Sequence, residues 1–249
     1  MASLSKSLYA IVAGVGPGTG GAVAKRFAKA YPVILLARQE ASYKATVDEI
    51  TQAGGRAIGV PTDVSDAAAV KHALETATAS KELQLDANAK LVAAVYNASV
   101  FVMKPFLELE KEDLDKSLQV NAYGFFNFAQ ATLPHLLKAV ESDTPHPPTL
   151  IVTGATAAIR GSAKFAGFAA GKFAKRAITQ SLAREFGPQG IHVAHVIIDG
   201  GIKSPRYDNG IKDGMLSPDA IADSYWYLHT QPRSCFTQEL DVRPYVEKF

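Results

Sequence analysis

Five glycines stand close together near the start of the chain: Gly14, Gly16, Gly18, Gly20 and Gly21. An apolar run, Leu8–Ala13, precedes them, and a predicted helix, Thr19–Ala30, follows with Ala22, Val23, Phe27 and Ala30 near one face. Glycine tolerates positive φ and lets backbone approach a ligand closely. The first N–H groups of a helix have no partner within it, and the helix dipole favours an anion there. A glycine-rich turn between strand and helix therefore predicts a pyrophosphate cradle; the bland alternative is a flexible turn. Two spacings fit. Gly16-x-Gly18-x-x-Gly21 matches the general dinucleotide fingerprint. Gly14-x-x-x-Gly18-x-Gly20 is a looser arrangement of the same parts.

A second informative position ends the next apolar run, Pro32–Ala37. NAD sites place an acid there for the ribose 2′-hydroxyl, whereas a nearby arginine accommodates a 2′-phosphate. Here the run closes at Ala37-Arg38 with no acid on it. The planar fork of Arg38 suits phosphate, so NADP(H) is the expected cofactor. The competing reading is a solvated surface arginine.

These positions need a scaffold, and apolar runs alternate with helical patterns along the whole chain. Ser42–Ala53 is predicted helical and stops at Gly54-Gly55. Arg56–Val60 reads as a third strand, Asp66–Ser80 as a third helix and Leu91–Val95 as a fourth strand. Lys111–Val140 is one long helical stretch that Pro134 should kink or divide. A polar, proline-rich surface loop at 141–148 leads to a fifth strand, Leu150–Thr153. Phe165–Phe186 is a long helix closed by Gly187-Pro188, and Ile191–Ile198 is a sixth strand. Pro218–Leu228 and Leu240–Val242 supply a last helix and a short strand. This alternation predicts an α/β fold, a single-domain doubly wound parallel sheet with helices on both faces, Rossmann-like, over residues 1–249.

Composition narrows the function classes. The chain carries 26 Lys+Arg against 24 Asp+Glu, a net +2 that is too weak a field for a nucleic-acid binder. A lone cysteine, Cys235, excludes an intrachain disulfide and a cysteine-based metal site. No apolar run approaches the roughly 18 residues that span a bilayer, so no membrane partner is expected. The opening residues 1–6, followed by Leu8–Val12, read as the approach to a strand and not as a leader. The last residues, Glu247-Lys248-Phe249, match no retention or peroxisomal address. A cytoplasmic location is the expectation.

Further landmarks follow in order. Asp63-Val64 comes after the third strand, and Asn97-Ala98-Ser99 closes the fourth. Asn121 lies in Val120-Asn121-Ala122-Tyr123-Gly124, and Lys172 ends the run that begins at Phe168. Asp199, Gly200, Gly201, Ile202, Lys203 and Ser204 follow the sixth strand. With the looser glycine spacing, this series resembles the short-chain dehydrogenase/reductase family over nearly the whole chain. The resemblance implies an oxidoreductase of carbonyl reductase type, acting with NADP(H) on a small-molecule carbonyl compound. It implies that Gly14, Gly16, Gly18 and Gly20 hold the phosphates, that Asp63 and Val64 meet the adenine, and that Asn97 and Lys172 stand at the cofactor. Gly200, Ile202 and Ser204 would approach the nicotinamide, with a substrate loop around 200–230. It also implies a homodimer or homotetramer formed through the two long helices.

The family's catalytic tetrad is incomplete here. A tyrosine that gives its proton to the carbonyl oxygen is replaced by Phe168, and the serine thirteen positions earlier by Ala155. Neither side chain donates a hydrogen bond. Asn121 and Lys172 are what remains of the four. Candidates for the missing donor are Lys172 acting through a water, then Tyr207 in the substrate loop, with Thr156 and Tyr96 as weaker options. Ser99 stands where the family has glycine and would fill that space.

Other clusters read as structural. His192 and His195 are three apart on a predicted strand, so they face opposite sides and do not share a metal. Tyr123, Phe125, Phe126 and Phe128 read as core or subunit packing, and Tyr225, Trp226 and Tyr227 as pocket or interface. Lys172, Lys175 and Arg176 read as a solvated basic face plus the ribose lysine. Arg160, Phe165 and Tyr207 are candidate pocket residues. Three functions stay open: a carbonyl reductase with altered proton delivery, a non-redox enzyme on the same pocket, and a non-catalytic NADPH-binding subunit or sensor.

Overall fold

The computed structural model describes residues 5–204 and 207–248. The opening residues 1–4, Phe249, and positions 205 and 206 of the expected substrate loop lie outside the described residues.

Strands and helices alternate as β1 (Leu8–Ala13), α1 (Thr19–Ala28), β2 (Val33–Ala37), α2 (Glu40–Gln52), β3 (Ala57–Pro61), α3 (Ala67–Thr78) and β4 (Lys90–Tyr96). Then come α4 (Lys111–Leu118), α5 (Gly124–Val140), β5 (Thr149–Thr153), α6 (Ala166–Phe186), β6 (His192–Ile198), α7 (Pro218–His229) and β7 (Glu239–Val242). All seven strands are parallel, in the order β3-β2-β1-β4-β5-β6-β7. The Rossmann-like doubly wound sheet is thus present, with its order reversing beside β1, which pairs with both β2 and β4.

The central strands are buried on both faces, so they read as continuous apolar runs. Strand alternation divides them. Ala10, Val12, Val33 and Leu35 pack towards α1 and α7, in one core with Phe27, Ile221 and Tyr225. Tyr9, Ile11, Ile34 and Leu36 point the other way, towards α3 and α5, with Leu74, Phe125 and Phe128. The aromatic run at the start of α5 is split by helical period: Phe125 and Phe128 are fully buried, whereas Phe126 and the preceding Tyr123 are exposed.

One expectation needs correcting. The long helical stretch is divided by a π-helical turn, Gln119–Tyr123, and α5 continues through Pro134. A proline in a helix loses one backbone bond and strains its neighbour, but the packed face of α5 holds Leu133 and Leu136 in the core on either side of it. The π turn places Asn121 beside α6, where Gly171 leaves room: a Cβ there would stand 2.5 Å from Ser117 Oγ and 3.0 Å from Asn121 Cβ.

Candidate functional site

A crevice of about 720 Å³ opens above the carboxyl ends of β1, β4, β5 and β6, at the point where strand order reverses. A second lobe of about 400 Å³ continues from it past the end of β2. Gly14, Gly16, Asn97 and Ser99 line both lobes.

The floor is set by the glycine turn. Gly14 has φ +87, and a Cβ there would lie 2.3 Å from the Ala98 amide nitrogen, so only glycine fits. Gly16 and Gly18 face open space on their Cβ side. Gly18 caps α1 without a side-chain hydrogen bond, and the buried hydroxyl of Thr19, in the first turn, has no hydrogen-bond partner among the described residues. An orphaned hydroxyl, a bare helix start and an open glycine edge fit a phosphate group, which would satisfy all three. Asn97 fastens the turn: its side-chain amide donates to the Gly14 carbonyl at 2.8 Å and its oxygen accepts from the Thr153 hydroxyl at 3.0 Å. Thr153 in turn shares a 2.7 Å hydrogen bond with the buried Tyr225 hydroxyl of α7.

The second lobe is lined by Arg38, Ser42, Asp63 and Val64. Asp63 accepts from the Ser65 hydroxyl at 2.7 Å and the Ser65 amide at 2.9 Å, and these bonds, with a smaller pull from Arg38, hold its carboxyl below the usual range. The predicted phosphate-binding arginine and adenine-side aspartate are therefore neighbours.

The opposite end of the crevice is apolar. Phe101, Phe165 and Phe168 pack as three rings, with centres 5.2 Å apart for Phe101–Phe168 and 5.8 Å for Phe101–Phe165. Ala155, Ala157, Ile198, Gly200 and Ile202 join this wall, and Arg160 and Glu247 stand at it. Lys172 enters from α6, only 3% exposed, with Nζ 5.3 Å from the centre of the Phe168 ring. Burial pushes its ammonium down to about 8, against a raising contact with Lys175.

Asn121 is fully buried and does not line the crevice. Its oxygen accepts from Ser99 Oγ at 3.1 Å and its amide donates to the Ser117 carbonyl at 3.0 Å, so Ser99 does more than fill space: it screens Asn121. Ser204 and Tyr207 are not among the residues that line the crevice, but the half-exposed Tyr207 ring lies at its edge: a Cβ on the crevice residue Gly201 would stand 3.0 Å from that ring and 3.7 Å from its hydroxyl. Thr156 lines the crevice, but its hydroxyl donates to the Asp199 carboxylate, which also meets Arg243 at 3.2 Å. Tyr96 points away and donates to the Val120 carbonyl at 2.5 Å. The basic segment is no solvated face: Lys175 is fully buried and Arg176 is paired with Glu239 at 2.6 Å. Lys175 was legible only as a lysine three residues beyond Lys172, on its helical face.

His192 and His195 lie on β6 as expected for structural residues. His192 is held by the Leu228 and Thr237 carbonyls, both at 2.9 Å, while His195 lies 3.6 Å from Glu239, with burial pushing it down to about 4. Among the described residues, no helix is long and apolar enough to cross a membrane.

Known proteins share this fold. The short chain dehydrogenase family model matches residues 8–210. The short-chain reductase protein NovJ of Streptomyces niveus is 28% identical, covering 97% of this chain and 89% of that protein. A short-chain dehydrogenase structure from Rhodopseudomonas palustris is 32% identical with a TM-score of 0.75, covering 95% of this chain and 99% of its own. A short chain dehydrogenase from Burkholderia cenocepacia, solved in complex with NADP, is 26% identical with a TM-score of 0.79, covering 96% and 97%. With the family model spanning the phosphate turn, the Asn97 clasp and the Lys172 helix, the chain belongs to the short-chain dehydrogenase/reductase family of oxidoreductases.

Proposed function

We propose that this chain is an NADPH-dependent reductase of apolar carbonyl compounds in which Lys172, acting through a water, replaces the missing phenol as proton source. The observation that carries this reading is the position of Lys172: its buried ammonium stands beside the Phe168 ring, at the two positions, 155 and 168, where alanine and phenylalanine supply no donor.

The bound cofactor supplies a hydride to the carbonyl carbon. The chain supplies the rest. The α1 start and Thr19 would hold the pyrophosphate, Arg38 the 2′-phosphate, and Asp63 and Val64 the adenine end. NADP in the Burkholderia relative supports the phosphorylated nucleotide. Gly200 and Ile202 leave an apolar edge at the reacting end, and Phe101 and Phe165 exclude water there. Negative charge that builds on the carbonyl oxygen needs a donor, and Lys172 provides it. Losing a positioned general acid costs roughly 10²–10⁴ in rate, and losing an oxyanion donor roughly 10²–10³. These losses overlap because the groups act as a unit, so the expected reductase is slow. The loop region around 200–230 serves as the substrate cover in this reading. Exposed Tyr123 at the end of the π turn, Phe126 on α5 and Phe173 on α6 support a homodimer or homotetramer packed on those helices.

The test pairs NADPH and NADH titrations, read by nicotinamide fluorescence, with a panel of aromatic and aliphatic ketones, aldehydes and quinones. Carbonyl-dependent oxidation of NADPH is the expected result. Tight NADPH binding with no turnover across the panel would overturn the reductase reading. It would leave a nucleotide-binding subunit or sensor, the second reading, which Ala155 and Phe168 favour because neither can donate a hydrogen bond.

A further inference from the structure

The loop between β5 and α6 delivers Arg160, Ser162 and Phe165 to the apolar end of the crevice. It begins with the short turn Thr156–Ala158 and closes where the Phe165 amide donates to the Ser162 carbonyl at 3.0 Å. Its backbone is tied to the segment between β4 and α4, where the Lys104 amide donates to the Lys164 carbonyl at 2.9 Å. That segment also carries Phe101. The two stretches form one lip of the crevice.

The lip presents rings. Phe101 crosses Phe165 and Phe168 steeply, at 75° and 62°, so that ring edges meet ring faces. Phe101 lines the crevice and is still 65% exposed. Large apolar surface left in water at a concave site marks where the apolar surface of a ligand belongs. Aromatic pairs prefer edge-to-face or offset contact, so a flat ring is the best-matched guest.

One open charge stands on this lip. Arg160 is exposed and lines the crevice, and among the described residues no hydrogen bond or ion pair engages its guanidinium. Arg243, which reaches the crevice wall at Asp199, is by contrast committed to Asp199 at 3.2 Å and Asp241 at 2.6 Å. Asp199 also accepts from Thr156. The other carboxylate lining this lobe, Glu247, stands on the opposite edge, with Oε2 3.1 Å from where a Gly200 Cβ would lie. Lys172 is the remaining cation of the lobe, but it lies beside the Phe168 ring and is only 3% exposed. The lobe is therefore positive at its aromatic lip and negative at its glycine edge. Such an arrangement draws an anionic group to the first and turns it away from the second, which fixes one orientation.

We propose that Arg160 is a specificity-determining residue and that the ligand of this lobe is an aryl carbonyl compound carrying a carboxylate. Its ring lies against Phe101 and Phe165, and its carboxylate meets the Arg160 guanidinium, whose planar fork matches a carboxylate bidentately. The carbonyl end is thereby directed inward, towards Lys172. The role of this ligand as a substrate rests on the reductase reading, which it narrows to aromatic carbonyl compounds with an acidic group away from the reacting carbon. Its binding does not rest on that reading.

The test compares para-acetylbenzoate with its methyl ester, which share ring and ketone and differ in charge. Affinity for the full chain, with NADP⁺ and without, is read by ligand-observed NMR titration at low ionic strength. The acid is expected to bind about fivefold or more tighter than the ester, near the upper end for an ion pair that water still reaches. Arg160→Gln should abolish that preference by weakening the acid. Lys164→Gln, at a neighbouring exposed cation that does not line the crevice, should keep it. Equal binding of acid and ester by the native chain overturns the proposal, and so does binding of neither; this comparison needs no variant to fold. A preference that survives Arg160→Gln assigns the carboxylate to Lys172, and one lost in Lys164→Gln assigns it to a general surface field; either result overturns the proposal. Turnover separates the two readings. Acid-selective binding without oxidation of NADPH removes the reductase and leaves the Arg160 site standing. Oxidation of NADPH by both compounds at equal kcat/KM keeps the reductase and removes the Arg160 assignment.

Discussion

Asn97 donates its side-chain amide to the Gly14 carbonyl over 2.8 Å, joining the end of β4 to the turn that leaves β1. Through Thr153 and Tyr225 the same side chain is tied to β5 and α7. The glycine turn is therefore held from outside by a chain of side-chain hydrogen bonds that crosses three elements, not by glycine alone.

Gly14→Ala tests that construction directly. The added methyl would stand 2.3 Å from the Ala98 amide, at a φ of +87 that alanine resists. Stability should fall by about 1–3 kcal/mol, the usual cost of a strained backbone position, and NADPH affinity should drop with it. Urea unfolding and a fluorescence titration measure the two effects. A variant with native stability would show that the turn relaxes freely.

Arg38 is exposed in the second lobe and lies near Asp63. A charge-assisted hydrogen bond to phosphate is worth about 1.5–3 kcal/mol. Arg38→Ala should therefore weaken NADPH binding at least about tenfold and leave NADH nearly unchanged. Equal effects on both nucleotides would assign Arg38 to the solvated surface.

Restoring the family's donor pair should speed the reaction. Phe168 and Ala155 both line the crevice, and Lys172 already stands beside the Phe168 ring. Phe168→Tyr combined with Ala155→Ser should raise carbonyl reduction by about 10²-fold or more. A folded, cofactor-binding double variant with no gain on any carbonyl would show that the crevice is not aligned for hydride transfer.

Lys172 also sets a pH dependence of stability. Burial lowers its folded value to about 8 from 10.5. Between those values the unfolded chain binds more protons than the folded one, so this group's contribution to stability rises with pH across that window. Below it, keeping the ammonium buried costs on the order of 3 kcal/mol. Lys172→Met should therefore be more stable than the native chain at pH 7, with the gap narrowing towards pH 10. Denaturant unfolding at pH 7, 8.5 and 10 follows it, and a gap that widens with pH would contradict the assignment.

Much of this protein was legible from residue order. Period and punctuation placed the strands and helices to within a few residues, because strands buried on both faces must be apolar and helices stop at glycine and proline. Glycine at Gly14 and an arginine after β2 marked the two lobes of the crevice, because those backbone and charge requirements are local. The missing donors at Phe168 and Ala155 were also visible, since residue type alone decides whether a group can donate a proton. Direction and burial were not visible. The π turn at Asn121, the Ser99 bond that screens it and the burial of Lys175 all depend on how α4, α6 and the strand ends meet. Local pattern names the groups a chain carries, but only packing decides which of them lose water, and with it which are free to exchange a proton.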